Sequence, residues 1–295
     1  DALFTSVSAV AVTGLITVNT ASYTLTGQTI ILVLIQLGGL GIIAFSTLQL
    51  TRPGRRISLR RRAVIREYYI GSVEHDPRRI LRNIVLSTVA LEALLFAALL
   101  PAFARRGVDQ PVFTAVFHAV SAFCNAGFST FADSLEGFAG EAAITVPIIV
   151  GLVLGGLGFV VYQDLVRCAT RRRHVLSLHT KVVLVSTGAL IGLGFVVFFL
   201  IEGGDAFAGM PMRDRALAAL FQSVTPRTAG FNTVAQGSLS EPGTVLTMVF
   251  MFVGGAPGSI AGGVKVTTVF IIAWAALGGT DESGDAGVFH RKVSS

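Results

Sequence analysis

Long uncharged stretches alternate with short polar segments along the chain, and this pattern predicts membrane-spanning helices. The uncharged stretches cover residues 2–51, 110–132, 142–163, 182–201 and 242–264. Each reaches or exceeds the roughly 20 apolar residues that cross a bilayer as an α-helix. A transmembrane barrel would instead show segments of about ten residues with alternating hydrophobicity. The predicted fold class is therefore an all-α polytopic membrane protein.

Composition and charge placement add an orientation to this picture. Only 14% of the 295 residues are charged and 52% are hydrophobic, whereas soluble domains carry about a quarter charged residues. This excludes an ordinary soluble enzyme, a disordered tail and a nucleic-acid-binding module. Of the 23 Lys and Arg residues, 17 lie in segments 51–82 and 167–181 and in the C-terminal tail. Cytoplasmic loops carry such an excess, so these three segments are predicted to face the cytoplasm.

The uncharged segment 110–132 is predicted to enter and leave the membrane from the outer face. The segments 80–104 and 142–166 on either side of it are strong spans, and two crossings suffice to connect the two basic loops. A third crossing would put arginines 171–173 outside. Irregular backbone at membrane depth is tolerated only where protein buries it or where it lines a watery cavity. A re-entrant loop here therefore indicates a functional region.

One sequence motif recurs three times along the chain. Residues 4–15, 117–128 and 221–231 align, and the third copy is one residue shorter. A paired glycine follows each copy, at Gly38-Gly39, Gly155-Gly156 and Gly254-Gly255. The repeating unit is predicted to be an outer helix, a short re-entrant helix, a loop and an inner helix that contains glycine.

The repeats divide the chain into predicted segments. Residues 1–50 form repeat 1 without its outer helix, 51–79 a basic cytoplasmic loop, 80–168 repeat 2, 169–278 repeat 3 with a broken inner helix, and 279–295 a cytoplasmic tail. The family resemblance given below implies that this tail leads to a fourth repeat, which this sequence lacks, and on that basis we interpret the sequence as the central part of a longer protein.

Each repeat carries one glycine at the same place in its loop: Gly14, Gly127 and Gly230. A cation that leaves water needs oxygens to replace its hydration shell, and converging backbone carbonyls supply them in potassium-channel filters. Glycine adopts the unusual dihedral angles that such a loop demands. Helix packing is the alternative for a single glycine, but three aligned copies favour a pore. The predicted ion selectivity filter consists of Val12, Thr13, Gly14, Asn125, Ala126, Gly127, Thr228, Ala229 and Gly230.

These motifs, together with the segments 225–231 and 254–265, resemble the Trk/Ktr/HKT superfamily of potassium transporters. The resemblance covers essentially the whole chain and is closest to the membrane subunits KtrB and TrkH. It implies repeated M1–P–M2 units, each a helix, a re-entrant pore loop and a helix, around a central pore with four-fold pseudosymmetry in the full-length protein. It also implies K+ uptake by a homodimer in the bacterial inner membrane, regulated by a cytoplasmic nucleotide-binding subunit similar to KtrA or TrkA.

The expected cargo is K+, and a Na+-permeable pore or a cation-coupled secondary transporter of the same architecture is the alternative. The lipid bilayer is the expected surrounding, and no nucleic acid, catalytic residue or covalently bound cofactor is predicted. The only metal ion expected is K+ at the filter carbonyls.

Residues 242–280 contain a single charge, Lys265, and a glycine-rich middle. Five glycines and Pro257 between positions 254 and 263 are poor helix formers, so a broken helix is predicted. The resemblance implies that this stretch forms an intramembrane gate below the filter. The implied gate residues are Gly254, Gly255, Gly258, Ser259, Gly262, Gly263 and Lys265. An intramembrane lysine must face water or a partner, and the alternative for Lys265 is snorkelling to the cytoplasmic interface.

Three further polar residues lie within the apolar segments. Arg227 is predicted to brace the filter loop from behind, through a carboxylate or carbonyls, with a direct ion barrier as the alternative. Glu92 is predicted to have a structural role, and a proton or Na+ site is the alternative. His118 lies on the re-entrant helix and is predicted to be a packed residue.

Overall fold

The fold is built from α-helices whose boundaries follow the apolar stretches. A computed structural model describes residues 1–51, 77–170, 175–277, 286–288 and 291–293. The described helices are α1 (Ala2–Val10), α2 (Leu25–Thr51), α3 (Pro77–Arg105), α4 (Pro111–Phe123), α5 (Ala142–Leu157), α6 (Phe159–Thr170), α7 (Leu178–Ile201), α8 (Met212–Val224), α9 (Glu241–Phe252) and α10 (Val266–Ala276). Two short antiparallel strands, β1 (Ala286–Val288) and β2 (Arg291–Val293), lie in the tail. Most of the predicted basic loop 51–79, arginines 171–173 and most of the tail 279–295 lie outside the described residues.

Three of the described helical segments are long and apolar enough to cross a membrane. They are Leu25–Phe45, Arg78–Arg105 and Leu178–Gly204. Only 28 to 33% of their most apolar windows is buried inside the protein, so most of their hydrophobic surface points outward. A helix that is apolar all round without being buried in protein is typical of a membrane span.

The three repeated motifs begin in short helices that rest against the long ones. Helix α1 packs on α2, α4 packs between α3 and α5, and α8 packs on α7. Helix α4 has 13 residues, too few to cross the hydrocarbon core. The segment 110–132 is therefore not a spanning helix, as the charge placement predicts. We call α1–α2 unit 1, α3–α6 unit 2 and α7–α10 unit 3.

The inner helix of unit 2 is sharply bent. Helices α5 and α6 meet at 100°, a break that the predicted span 142–166 does not indicate. Gly158, between them, has a φ of +83°. A Cβ there would lie 2.8 Å from the carbonyl oxygen of Pro257. The bend therefore requires a residue without a side chain.

The inner segment of unit 3 is broken where its glycines predict. Helices α9 and α10 are separated by residues 253–265, which we call the glycine-rich loop. Two backbone hydrogen bonds join the beginning of this loop to its end, from Gly254 N to Val264 O (3.0 Å) and from Val266 N to Gly255 O (3.1 Å). Residues 253–256 and 258–261 are buried, so this loop is packed inside the protein.

Candidate ion pathway

The short helix of each unit ends in a loop with the same local structure. We call these loops 1, 2 and 3, at residues 11–15, 124–128 and 225–231. Equivalent backbone groups cap the helix in all three: Thr13 N donates to Ser8 O (3.0 Å), Ala126 N to Ser121 O (2.8 Å) and Ala229 N to Thr225 O (3.0 Å). The bond in loop 3 spans four residues and the other two span five, because the third copy of the motif is one residue shorter.

Two residues of each loop adopt left-handed backbone conformations, with one residue of negative φ between them. The pairs are Val12 (φ +54°) and Gly14 (+73°), Asn125 (+52°) and Gly127 (+72°), and Thr228 (+64°) and Gly230 (+82°). Alternation between left- and right-handed residues places successive N–H groups on one side of the backbone and therefore leaves the carbonyls on the other. The sequence predicts glycines in this role, but it gives no signal that a β-branched valine and threonine would share it.

The three loop glycines lie side by side. A Cβ on Gly14 would stand 2.5 Å from Ala126 O, and a Cβ on Gly127 would stand 2.8 Å from both Ala229 O and the Cα of Gly230. Loop 2 therefore lies between loops 1 and 3. The fold thus brings together glycines that are more than one hundred residues apart in sequence.

A cavity of about 280 Å³ opens over these glycines. Gly14, Gly127 and Gly230 line it, together with the carboxylate residues Asp133 and Glu136. Carboxylates at the mouth of a cleft raise the local concentration of cations. The lining of this cavity therefore favours cations electrostatically.

A hydroxyl group at or just after the end of each short helix forms a hydrogen bond to its loop. Ser121 Oγ donates to Phe128 O at 2.7 Å, and Thr225 Oγ1 donates to Phe231 O. At the equivalent place in unit 1, Ser8 Oγ lies 2.8 Å from Thr13 Oγ1. These hydroxyl residues are not among the predicted filter residues, although a hydroxyl at one position of three aligned copies is a signal that the sequence contains.

Two buried polar groups lie behind loop 2. Glu92 Oε2 accepts a hydrogen bond from Gln36 Nε2 at 3.0 Å, so the carboxyl predicted to be structural has a partner on α2. Its Oε1 has no hydrogen-bond partner among the described residues. His118 is fully buried, with ring nitrogens 2.9 Å from Thr114 O and 3.0 Å from Ser129 Oγ. The histidine is therefore packed, as predicted.

The glycine-rich loop lies against the bend of unit 2. Ala256 N donates to Gly156 O (2.8 Å), Ile260 N donates to Gly155 O (3.4 Å), and Phe159 N donates to the loop carbonyl of residue 258 (3.2 Å). The last carbonyls of a helix and the first N–H groups of the next have no intrahelical partner. The glycine-rich loop supplies hydrogen-bond partners for the backbone groups that the break between α5 and α6 leaves without one.

The same loop also reaches unit 1. A Cβ on Gly39 of α2 would lie 3.6 Å from Ile260 Cδ1 and 2.6 Å from Cys124 Sγ. Ile260 therefore lies close to both α2 and the start of loop 2. The glycine-rich loop of unit 3 thus contacts both of the other units.

Loop 3 contacts the glycine-rich loop directly. Arg227 Nη2 donates to Gly254 O at 3.1 Å, and Gly262 N donates to Thr228 Oγ1 at 3.1 Å. Arg227 therefore contacts a carbonyl of the predicted gate. Lys265 Nζ donates to Ala261 O at 2.6 Å, so the lysine has a partner within the same loop.

All the residues predicted as gate lie in this loop. Gly258 and Gly263 have φ values of +74° and +69°, which favour glycine. A Cβ on Gly255 would lie 2.7 Å from Ser259 Oγ, and that hydroxyl donates to Ala256 O at 2.6 Å. The loop therefore holds its shape through contacts that larger residues would disrupt.

Several known proteins are similar to this chain in sequence. The TrkH family, described as cation transport protein, matches residues 1–284. The chain is 34% identical to the Ktr system potassium uptake protein B of Bacillus subtilis over 299 aligned residues, which cover 99% of this chain and 66% of that protein. It is 36% identical to the protein of the same name from Vibrio alginolyticus (94% and 62% covered). It is also 36% identical to the potassium/sodium uptake protein NtpJ of Enterococcus hirae (92% and 60% covered).

A solved structure supports the same assignment at the level of the fold. The crystal structure of the potassium transporter TrkH from Vibrio parahaemolyticus aligns with a TM-score of 0.71 at 23% identity, and covers 93% of this chain and 54% of that one. The chain spans about 60 to 66% of the length of these curated relatives. On the match over residues 1–284, the chain belongs to the TrkH family of cation transport proteins.

Proposed function

We propose that the protein takes up K+ through a pore whose filter is formed by the backbone carbonyls of loops 1 to 3. One observation carries this proposal: three glycines from three repeats lie side by side and line one cavity. Left-handed residues at two positions of each loop allow successive carbonyls to share one side. Such carbonyls replace the hydration shell of a K+ ion.

The choice of K+ is supported by the relatives. Two of them are named potassium uptake proteins and a third a potassium/sodium uptake protein. The last name favours permeation of Na+ as a second candidate property of the same pore. The relative uptake of the two ions distinguishes these candidates.

The glycine-rich loop is proposed to be the gate of this pore. It is held below loop 3 by Arg227 and Thr228 and against unit 2 by the bend at Gly158. Because most of its residues are buried and Ile260 reaches α2, the loop would obstruct a path that runs from the filter through the middle of the units. Ions would pass only after the loop moves aside.

The proposed setting is the plasma membrane of a bacterium, where the protein would act as a homodimer. Outward-facing apolar helices support a surrounding of lipid. The term "Ktr system" in the names of two relatives supports a further, regulatory component. We propose that this component is a cytoplasmic nucleotide-binding subunit.

Uptake of radiolabelled Rb+, a K+ substitute, by the complete protein in proteoliposomes tests the proposal. We expect uptake that excess K+ abolishes and that an equal concentration of Na+ reduces much less. Equal competition by the two ions would favour the Na+-permeable alternative. Absence of Rb+ uptake, in protein that is folded and inserted, would refute K+ transport. Deletion of residues 254–263 should raise the flux, and an unchanged flux would contradict the gate.

A further inference from the structure

One position of each short helix carries a buried polar side chain. Thr5, His118 and Gln222 follow the aligned phenylalanine in the three copies of the motif, and all three are buried. A polar group inside a protein costs free energy unless it has a hydrogen-bond partner. The partners of these three side chains therefore indicate what the position does.

The partners lie in the segments that follow the loops. We call these the return segments, at residues 16–24 after loop 1, 129–138 after loop 2 and 232–239 after loop 3. In unit 1, Thr5 Oγ1 lies 3.2 Å from the hydroxyl oxygen of Tyr23. In unit 3, Gln222 Nε2 donates to Gln236 Oε1 at 3.1 Å, and Gln236 Nε2 donates to Gln222 Oε1 at 3.2 Å.

His118 makes the equivalent contact in unit 2. Its Nε2 lies 3.0 Å from Ser129 Oγ, at the start of the return segment, and its Nδ1 lies 2.9 Å from Thr114 O, one turn back in α4. The imidazole therefore joins its own helix to the segment beyond loop 2. Three different residue types make the same connection in the three units.

The contact in unit 2 continues into unit 3. Ser129 Oγ donates to Ser134 O at 3.1 Å, and Ser134 Oγ accepts a hydrogen bond from Asn232 N at 3.2 Å. The ring of His118 also stacks on Phe231 of loop 3, with 6.0 Å between the ring centroids. His118 therefore contacts the surroundings of two neighbouring loops.

Each loop lies in sequence between the two residues that such a contact joins. The contact therefore limits how far the two ends of the loop can separate, and with them the carbonyls between the ends. The partners described for these contacts lie outside the glycine-rich loop. The contacts therefore do not depend on that loop, and they act on ions that pass when it has moved aside.

We propose that Thr5, His118 and Gln222 are positioning residues that keep the filter loops selective for K+. This inference rests on the proposed function. Each side chain joins the short helix before a loop to the return segment after it and so fixes the spacing of the loop carbonyls. When the contact is lost, the carbonyls shift, and their preference for K+ over the smaller Na+ falls.

The contact in unit 1 permits a test with substitutions that preserve shape. Thr5→Val and Tyr23→Phe each remove one hydroxyl of the pair. In the complete protein in proteoliposomes, each should lower the ratio of Rb+ to Na+ uptake about two- to tenfold, the effect of losing one hydrogen bond. The double variant should lose no more than either single variant, because both changes remove the same contact.

Two substitutions of His118 separate positioning from a merely structural role. A glutamine places its amide group near the position of Nε2, and it is the residue that unit 3 uses at this place. An asparagine reaches only as far as Nδ1. His118→Gln should therefore keep the wild-type ratio through the contact with Ser129, whereas His118→Asn should lower the ratio about two- to tenfold.

Thr145→Val is the matched control. Thr145 is buried on α5, and its hydroxyl donates to Glu141 O of the preceding turn at 3.1 Å. The substitution makes the same atomic change as Thr5→Val but breaks no contact with a return segment, so we expect the wild-type ratio. A loss equal to that of Thr5→Val would overturn the proposal, because it would reflect a general sensitivity to buried hydroxyls.

Three other results would also overturn the proposal. They are a wild-type ratio for both Thr5→Val and Tyr23→Phe, a double variant whose loss is the product of the two single losses, and equal ratios for His118→Gln and His118→Asn. All ratios are compared at equal amounts of inserted protein. Failure of the proposed function would look different, because the wild-type protein itself would then take up no Rb+.

Discussion

Gly127→Ala perturbs the proposed filter most directly, because Gly127 lies between the other two loop glycines. A Cβ at this position would stand 2.8 Å from Ala229 O and from the Cα of Gly230, whereas ordinary van der Waals contact begins at 3.4 Å. Loop 3 must therefore retreat by roughly half an ångström, a gap that already forfeits a large part of a packing contact. The φ of +72° adds about 1–2 kcal/mol for any residue with a side chain.

The expected consequence is a loss of selectivity with little loss of folding. The strain can be relieved by rotation of loop 2 or by displacement of loop 3, and either movement turns carbonyl oxygens away from a shared ion. If 1–2 kcal/mol of K+ preference is lost in this way, the ratio of Rb+ to Na+ uptake falls about 5- to 30-fold, since each 1.4 kcal/mol is a factor of ten.

The assay compares initial rates of Rb+ and Na+ uptake by the complete protein in proteoliposomes, normalised to the amount of inserted protein. Gly188→Ala is the matched control. This glycine lies within α7, and nothing lies within 4 Å of an added Cβ. Helix propensity favours alanine there by about 1 kcal/mol, so the control should fold and transport as the wild type does. A wild-type ratio for Gly127→Ala would refute the placement of loops 2 and 3 around the ion.

Three further substitutions probe other parts of the structure. Gly158→Ala would push a Cβ into a carbonyl of the glycine-rich loop, so the loop should loosen and the Rb+ flux should rise. An unchanged flux would show that the bend at Gly158 does not hold the gate closed. Glu202 is fully buried at the end of α7 and accepts hydrogen bonds from Ser240 N (3.1 Å) and Ser240 Oγ (2.6 Å). Glu202→Gln should therefore lower the free energy of unfolding in detergent by about 1–3 kcal/mol, and an unchanged denaturation curve would argue against this clamp. Ser121→Ala leaves Phe128 O without its donor and should lower the Rb+ to Na+ ratio about three- to tenfold; a wild-type ratio would mean that the loop keeps its shape without the tie.

The long helices were predictable from sequence because the bilayer imposes a length. Helix α7 (Leu178–Ile201) contains the predicted segment 182–201, and α3 (Pro77–Arg105) contains the predicted segment 80–104. The break between α9 and α10 was predictable as well, since five glycines and a proline in ten positions weaken a helix locally. These features depend on composition over a window and need no tertiary partner.

The bend in unit 2 could not be predicted in this way. The sequence Gly-Gly-Leu-Gly occurs at 38–41 and again at 155–158, yet α2 continues through the first copy and the helix breaks at the second. A Cβ on Gly41 would meet nothing within 4 Å, whereas a Cβ on Gly158 would meet the carbonyl of Pro257. Tertiary context decides between the two: the glycine-rich loop supplies partners for the broken ends at only one copy.

The left-handed residues of the loops could not be predicted from local sequence either. Val12 and Thr228 adopt a φ that their residue types disfavour, so local propensity predicts against the observed conformation. Their positions are nevertheless fixed by the short helix before them and the glycine two residues after. The sequence repeat locates the candidate filter, but its strained backbone follows from the packing of three distant segments against one another.

The hydrogen bonds of the glycine-rich loop determine how much free energy a regulatory partner would have to supply to displace it. Five hydrogen bonds join this loop to the bend of unit 2 and to loop 3. At a net value of about 0.5–1.5 kcal/mol each, displacement of the loop costs about 2.5–7.5 kcal/mol, and water that enters the pathway moves this cost toward the lower limit. A change from 1% to 99% open requires roughly 10⁴-fold tighter binding of a regulatory subunit to the open state, or about 5.5 kcal/mol. Because the first N–H of α6 is one of the five donors, a force on α6 acts directly on the loop without passing through the filter. We therefore expect α6 to be the element through which a partner would open this gate.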